Sequence, residues 1–254
     1  MSNDLVSVRM MIVSQPSPDR DIWRQAAGLA SVLVEATKAE TTAEASQMLA
    51  RAGIDVVLID ADFPEPHRSA VARAARSARS ARSRPVIVLS AASDADVFGV
   101  DGDGVVTKPS NLAEAQYLID RMLRARIPNR VLIVDDSSTM RGIVRKILLA
   151  TRFPLEVAEA EEGGAALARL REGSFDIIFL DYNMPGLNGL DALAEIRRDH
   201  PRLEVVMITS SEDEAIASRV RAAGAAAFLK KPFFPADIDA VLYAFCGLRA
   251  IPMR

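Results

Sequence analysis

In the C-terminal half of the chain, side chains able to manage phosphate and a divalent metal stand where apolar runs stop. Asp135-Asp136 follows Val131-Leu-Ile-Val134, and Asp181 follows Ile177-Ile-Phe-Leu180. Thr209 closes Val205-Val-Met-Ile208, and Lys230-Lys231-Pro232 follows Ala227-Phe-Leu229. Each run reads as a strand buried on both faces of a parallel sheet. Ligands collect at the carboxyl ends of such strands, so these residues converge on one rim. Three carboxylates there repel one another, and a hard cation resolves the conflict; Mg²⁺ takes oxygen ligands from carboxylates, phosphate and water. A lysine ammonium and a threonine hydroxyl would hold the remaining phosphoryl oxygens. The set suits in-line phosphoryl transfer to a carboxylate nucleophile, with Asp181 as acceptor. Lys231 is preferred to Lys230 because it directly precedes Pro232.

The elements that must carry these residues recur twice. Shifted by 121 residues, the sequence aligns with itself without a gap from Arg9 to Pro64. Arg9-Met-Met-Ile-Val13 falls on Arg130-Val-Leu-Ile-Val134, and Asp55-Val-Val-Leu-Ile-Asp60 falls on Asp176-Ile-Ile-Phe-Leu-Asp181. Val86 to Ser90 answers Val205 to Thr209, and Val106-Thr-Lys-Pro109 answers Leu229-Lys-Lys-Pro232. So long a period means two copies of one domain. The expected domains are residues 1–127 and 129–254, meeting at Ile127-Pro-Asn-Arg130. Apolar strands alternate with amphipathic helices in each, which predicts a parallel sheet covered on both faces. In the second copy strands are expected near 131–134, 155–159, 176–180, 204–209 and 226–229. Helices are expected near 138–150, 162–172, 189–199, 212–223 and 235–246. The first copy is shorter between its fourth strand and Lys108, so its fourth helix must be stunted.

On these motifs the second copy resembles the receiver domain of two-component response regulators. Val134-Asp-Asp-Ser-Ser-Thr-Met-Arg141 and Asp181-Tyr-Asn-Met-Pro185 are especially similar to the single-domain chemotaxis regulators. The resemblance spans residues 129–247 and implies two tandem flavodoxin-like (βα)5 domains. It also implies that Asp181 takes phosphate from a histidine kinase or phosphotransfer protein. Asp135, Asp136 and Asp181, with the backbone carbonyl of Asn183, would hold Mg²⁺, Asp135 acting through water. Thr209 and Lys231 would bind phosphoryl oxygens, and Phe228 would be the switch aromatic. Asn183 and Ser211 occupy the positions that tune phosphate loss in that family. The implied protein is a phosphoacceptor with slow self-dephosphorylation rather than an enzyme.

The first copy departs from this pattern. Ser14-Gln15 replaces the acidic pair, while Asp60, Ser90 and Lys108 answer Asp181, Thr209 and Lys231; Val105 stands for Phe228. Asp62 is the one replacement carboxylate in view. The reading is a degenerate pseudo-receiver that is not phosphorylated.

Composition narrows the remaining possibilities. A net charge of -3 gives no general reason for nucleic acid or anionic lipid as a partner. The single cysteine, Cys246, suits a reducing, cytoplasmic setting, and no apolar run reaches the length of a membrane span. The basic stretch from Arg68 through Arg73, Arg76, Arg79 and Arg82 to Arg84 lies where a third helix belongs and reads as a solvated face. Asp101-Gly-Asp-Gly104 lacks the later ligands of a calcium loop. His67 and His200 have no histidine or carboxylate set around them, and Trp23 reads as core. With little chain after the last helix, output is expected through protein contact on the face of the second copy's fourth helix, fifth strand and fifth helix. A phosphate sink or relay and a phosphorylation-independent scaffold are the alternatives. An aspartate-nucleophile phosphatase is disfavoured, because neither first strand is followed by Asp-x-Asp.

Overall fold

A computed structural model describes residues 7–78, 84–211 and 213–251. Its contacts divide the chain into two units, one running to Ile127 and resuming from Tyr243, the other Pro128–Leu242. In the first half the elements are β1 (Ser7–Val13), α1 (Pro18–Gly28), β2 (Leu33–Ala39), α2 (Thr42–Arg51), β3 (Val56–Asp60), α3 (His67–Ser77), β4 (Val86–Ala91), β5 (Gly104–Thr107) and α4 (Leu112–Leu123). In the second they are β6 (Asn129–Val134), α5 (Ser138–Ala150), β7 (Leu155–Ala160), α6 (Gly163–Glu172), β8 (Ile177–Asp181), α7 (Gly189–Asp199), β9 (Glu204–Thr209), α8 (Glu214–Ala222), β10 (Ala227–Lys230) and α9 (Pro235–Phe245).

Each unit holds a parallel five-stranded sheet, ordered β2-β1-β3-β4-β5 and β10-β9-β8-β6-β7. These are tandem flavodoxin-like sheets. Strand order reverses between β1 and β3 and between β6 and β8, which opens a crevice at their carboxyl ends. The central strands β3 and β8 are buried at every residue, as continuous apolar runs require. Aliphatic side chains fill both cores: Met11, Val57, Ile59 and Leu89 in one, and Leu132, Ile178, Leu180 and Val205 in the other. Full burial of each such side chain stabilises by roughly 1.5–3 kcal/mol.

Local sequence explains the helix starts that border the crevices. Ser17 caps α1 by accepting from the Arg20 amide, with Pro18 in the first turn, and Trp23, Ala26 and Ala27 form the buried stripe. Ser137 caps α5 from the end of β6 in the same way, accepting from Met140. The shortened fourth helix of the first unit is a single 3-10 turn, Asp94–Val97, closed by reciprocal bonding between Ser93 and Asp96.

The basic stretch is less solvated than expected. Arg76 on α3 pairs with Asp101 at 2.9 Å and Asp103 at 2.6 Å, so the two aspartates of the Gly-rich segment are engaged by a guanidinium. Arg68 donates to the carbonyls of Ala61 and Asp96. These arginines pin loops. Arg79 and Arg82 lie outside the described residues. Among the described residues no helix is long and apolar enough to cross a membrane.

Candidate functional site

The rim at the ends of β6, β8, β9 and β10 brings together Asp135, Asp136, Asp181, Thr209 and Lys231. Carboxylate oxygens of the three aspartates lie within 4.8 Å of one another. Asp135 and Asp181 are buried; Asp136 is exposed. The Lys231 ammonium sits between the buried pair, 2.8 Å from Asp135 Oδ2 and 2.7 Å from Asp181 Oδ1. Lys230, the alternating neighbour, is exposed. Thr209 is fully buried, and its hydroxyl accepts from the Ser211 amide at 3.1 Å. Asn183 is exposed and, with Asp136, Pro185, Asp191 and Arg219, lines an open pocket of about 500 Å³. Phe228 is half-buried against the second unit's core, in register with Met207, on the sheet face that Thr209 shares.

Electrostatics follow from this packing. Burial pushes the Asp181 carboxyl up, and the charges of Asp135 and Asp136 add to it, against the pull of Lys231. Burial also disfavours the Lys231 cation, but its bonds to Asp135 and Asp181 outweigh that, and its pKa is raised. Three carboxylates against one ammonium leave a formal excess of negative charge, and every donor is a hard oxygen. Such a set fits Mg²⁺.

Two supporting residues are not apparent from spacing alone. Arg141 donates to the carbonyl of Asp135 at 2.7 Å while its Nε holds Glu159 at 3.2 Å, which fixes the backbone of the acidic pair. Gly189 opens α7 directly against the end of β8: a Cβ there would lie 2.3 Å from the carbonyl oxygen of Asp181. Only glycine permits that approach.

The response regulator receiver domain model matches residues 131–243. Chemotaxis protein CheY-3 of Vibrio cholerae is 40% identical over 111 residues, 43% of this chain and 85% of that protein. Chemotaxis protein CheY of Pseudomonas aeruginosa is 39% identical over 106 residues, 41% of this chain and 85% of that protein. The chain belongs to the response regulator receiver family. For the fold alone, a solved probable two-component system response regulator/GGDEF domain protein aligns over 94% of this chain and 98% of its own, with a TM-score of 0.50 at 23% identity.

The N-terminal unit places a comparable group at its own strand ends. Lys108 Nζ lies 3.0 Å from Asp60 Oδ1, 2.5 Å from Asp62 Oδ2 and 3.2 Å from Asp19 Oδ2. Burial opposes the Lys108 cation, yet its bonds to Asp62, Asp60 and Asp19 raise its pKa. Two expectations are corrected here. The pocket holds two replacement carboxylates rather than one, because Asp19 reaches it from the first turn of α1. And Ser90 does not answer Thr209. The Ser90 carbonyl accepts from Ala61, as that of Ile208 accepts from Tyr182, and the Ala91 carbonyl accepts from Lys108, as that of Thr209 accepts from Lys231. Ala91 therefore stands in the threonine's place, and this receiver has no hydroxyl there. Val105 does stand where Phe228 does, by the pairing of both strands with their neighbours.

Proposed function

We propose that the C-terminal receiver accepts a phosphoryl group on Asp181 from a histidine kinase or phosphotransfer protein and signals through protein contact. The observation that carries this reading is the Asp181 carboxylate, buried at a strand end with the Lys231 ammonium 2.7 Å away. An Asp181 oxygen attacks phosphorus in line as the bond to the donor imidazole nitrogen breaks, and the released nitrogen keeps that electron pair and takes up a proton. Lys231 moves from carboxylate to phosphoryl oxygens, and Thr209 donates its hydroxyl to another. Asp135, Asp136, Asp181 and the Asn183 carbonyl would hold Mg²⁺, which when bound supplies positive charge against the phosphoryl oxygens. Phosphate then draws Thr209 inward, and Phe228, on the same sheet face, repacks and alters the α8–β10–α9 surface. The N-terminal receiver, without an acidic pair after β1, is read as not phosphorylated, and the setting as cytoplasmic.

The test is incubation with acetyl phosphate and Mg²⁺, with the base- and hydroxylamine-labile label located by mass. Wild type and Asp60→Asn should carry label on Asp181, and Asp181→Asn should carry none. Label on Asp60 would overturn the assignment. Rapid loss of label with no phosphorylation-dependent binding partner would make the protein a phosphate sink.

A further inference from the structure

Residues from Tyr243 onward belong to the N-terminal unit. There they meet β5, the outer strand of its sheet. An outer strand leaves backbone donors and acceptors open to pairing with any extended chain. Here they are taken. The Val105 amide donates to the Arg249 carbonyl at 2.9 Å, and the Arg249 amide donates to that of Val105 at 3.0 Å, an antiparallel bridge. Leu248 is buried, and Ile251 packs against the core that includes Val97 and Val100, at and just after the single 3-10 turn. The segment thus adds apolar cover beside a helix that is only one turn long.

The strand edge is shaped for this occupant. A Cβ on Gly104 would lie 2.7 Å from Leu248 Cβ and 3.1 Å from the Arg249 carbonyl oxygen, and its three nearest neighbours all belong to the segment. Upstream the approach is held firmly. Arg121 on α4 donates to the Ala244 carbonyl at 2.8 Å, and the Arg124 guanidinium stands 4.5 Å from the centre of the Phe245 ring. Beyond that point one residue pair supplies the backbone bonds, with a longer contact of 3.4 Å from the Arg249 guanidinium to Thr107 Oγ1. So few bonds open at lower free energy than the ladders between the buried strands. We propose that the β5 edge of the N-terminal unit is a groove for an extended peptide, and that Leu248–Ile251 occupies it in cis as a removable strap. The groove recognises one residue by antiparallel backbone pairing, with an aliphatic side chain one position before it and another two positions after.

Trp23, the single tryptophan, is buried on α1 and so reports on this unit. The full chain is compared as wild type, Gly104→Ala, Arg249→Pro and the pair. Gly104→Ala crowds the strap, and Arg249→Pro removes its amide donor. Each should lower the Trp23 melting midpoint by at least about 3 °C. The pair should lower it no further than the larger single effect, because a strap already lifted has nothing left to lose. A wild-type midpoint in Gly104→Ala, or effects that add, would overturn the proposal. In a second measurement a fluorescein-labelled peptide of the sequence Gly247–Ile251 is titrated with the chain lacking residues 248–254. It should bind there, and bind the full chain at least about tenfold more weakly, since a tethered strap competes at high effective concentration. Gly104→Ala in the shortened chain should abolish the binding. No binding to the shortened chain, or equal binding to both, would sink the groove. Should the shortened chain lose its fold, the four-way comparison in the full chain still decides.

Discussion

The two crevices hold the same charges in different places. Each has one lysine ammonium, one buried strand-end aspartate and two further carboxylates within 4.8 Å. In the C-terminal receiver both further carboxylates follow β6 directly, and Lys231 bonds only the buried one of them. In the N-terminal receiver they come from α1 and from the loop after β3, and Lys108 bonds both. The pair shows that a rim can keep its charge balance with its carboxylates supplied from different elements. Thr209 has become Ala91, Phe228 has become Val105, and the acidic pair is Ser14-Gln15. In both rims the ammonium is paired with carboxylates, and that pairing involves neither the hydroxyl nor the aromatic.

The largest expected effect comes from removing the ammonium. Lys231→Met strips the shared cation from Asp135 and Asp181, both buried, and Lys108→Met strips it from buried Asp60, half-buried Asp19 and exposed Asp62. Removing the cation from the buried pair costs about 3 kcal/mol in Lys231→Met, and less in Lys108→Met, where solvent screens two of the three partners. Thermal unfolding read by Trp23 emission should show the loss for Lys108→Met, and far-ultraviolet circular dichroism should show it for Lys231→Met. Saturating Mg²⁺ should restore part of the lost stability in Lys231→Met, by binding the folded state through the freed carboxylates. No restoration there would break the reading of that rim as a magnesium pocket.

How much of this was legible in the sequence depended on how local the determinant is. The strand ends were legible because an apolar run followed by Asp, Thr or Lys marks the point where a buried strand meets solvent, and β6 to α9 fall close to the expected bounds. Asp19 was not, because its arrival at Lys108 depends on where Ser17 and Pro18 start α1, a tertiary outcome with no fixed spacing from β1. The Ser90 placement failed for a different reason. Val86–Leu89 and Val205–Ile208 align well as apolar runs, but one-residue slips between such runs are decided by the backbone ladder, and only Ala61 N to Ser90 O reveals the register. Arg76 was misread as solvated because its partners, Asp101 and Asp103, lie 25 and 27 residues away.

Gly189→Ala gives the next effect and sharpens the comparison from the backbone side. The new methyl would meet the Asp181 carbonyl at 2.3 Å and the Tyr182 Cα at 2.8 Å, neither of which is a flexible side-chain end. Overpacking of this kind costs about 1–3 kcal/mol, and here the displaced atoms belong to the acceptor itself. Labelling of Asp181 by acetyl phosphate should fall along with the melting temperature, while Trp23 emission, a report on the other receiver, should stay as in wild type. An unchanged labelling rate would show that the acceptor does not depend on the tight approach of α7.

The smallest effect is in the pH dependence of stability, and its sign follows from the two shifted groups of the C-terminal rim. Asp181 has its folded pKa raised above 3.8, chiefly by burial, so its ionisation opposes folding. That penalty is absent below the unfolded value and fully present once pH exceeds the folded one. Asp181→Asn should therefore match wild type in strong acid and exceed it at neutral pH, by about 1 kcal/mol for each pKa unit of the shift. Lys231 is raised above 10.5, so its stabilising charge is present below that value and is lost as pH climbs through the higher folded value. Because Lys231 loses one of its two partners in Asp181→Asn, the alkaline loss should shrink in that variant. Lys108, which has three partners, should keep its alkaline loss in Asp60→Asn. Chemical unfolding at acid, neutral and alkaline pH checks all three signs. A variant less stable than wild type at neutral pH would mean that the bond to Lys231 outweighs the burial of Asp181.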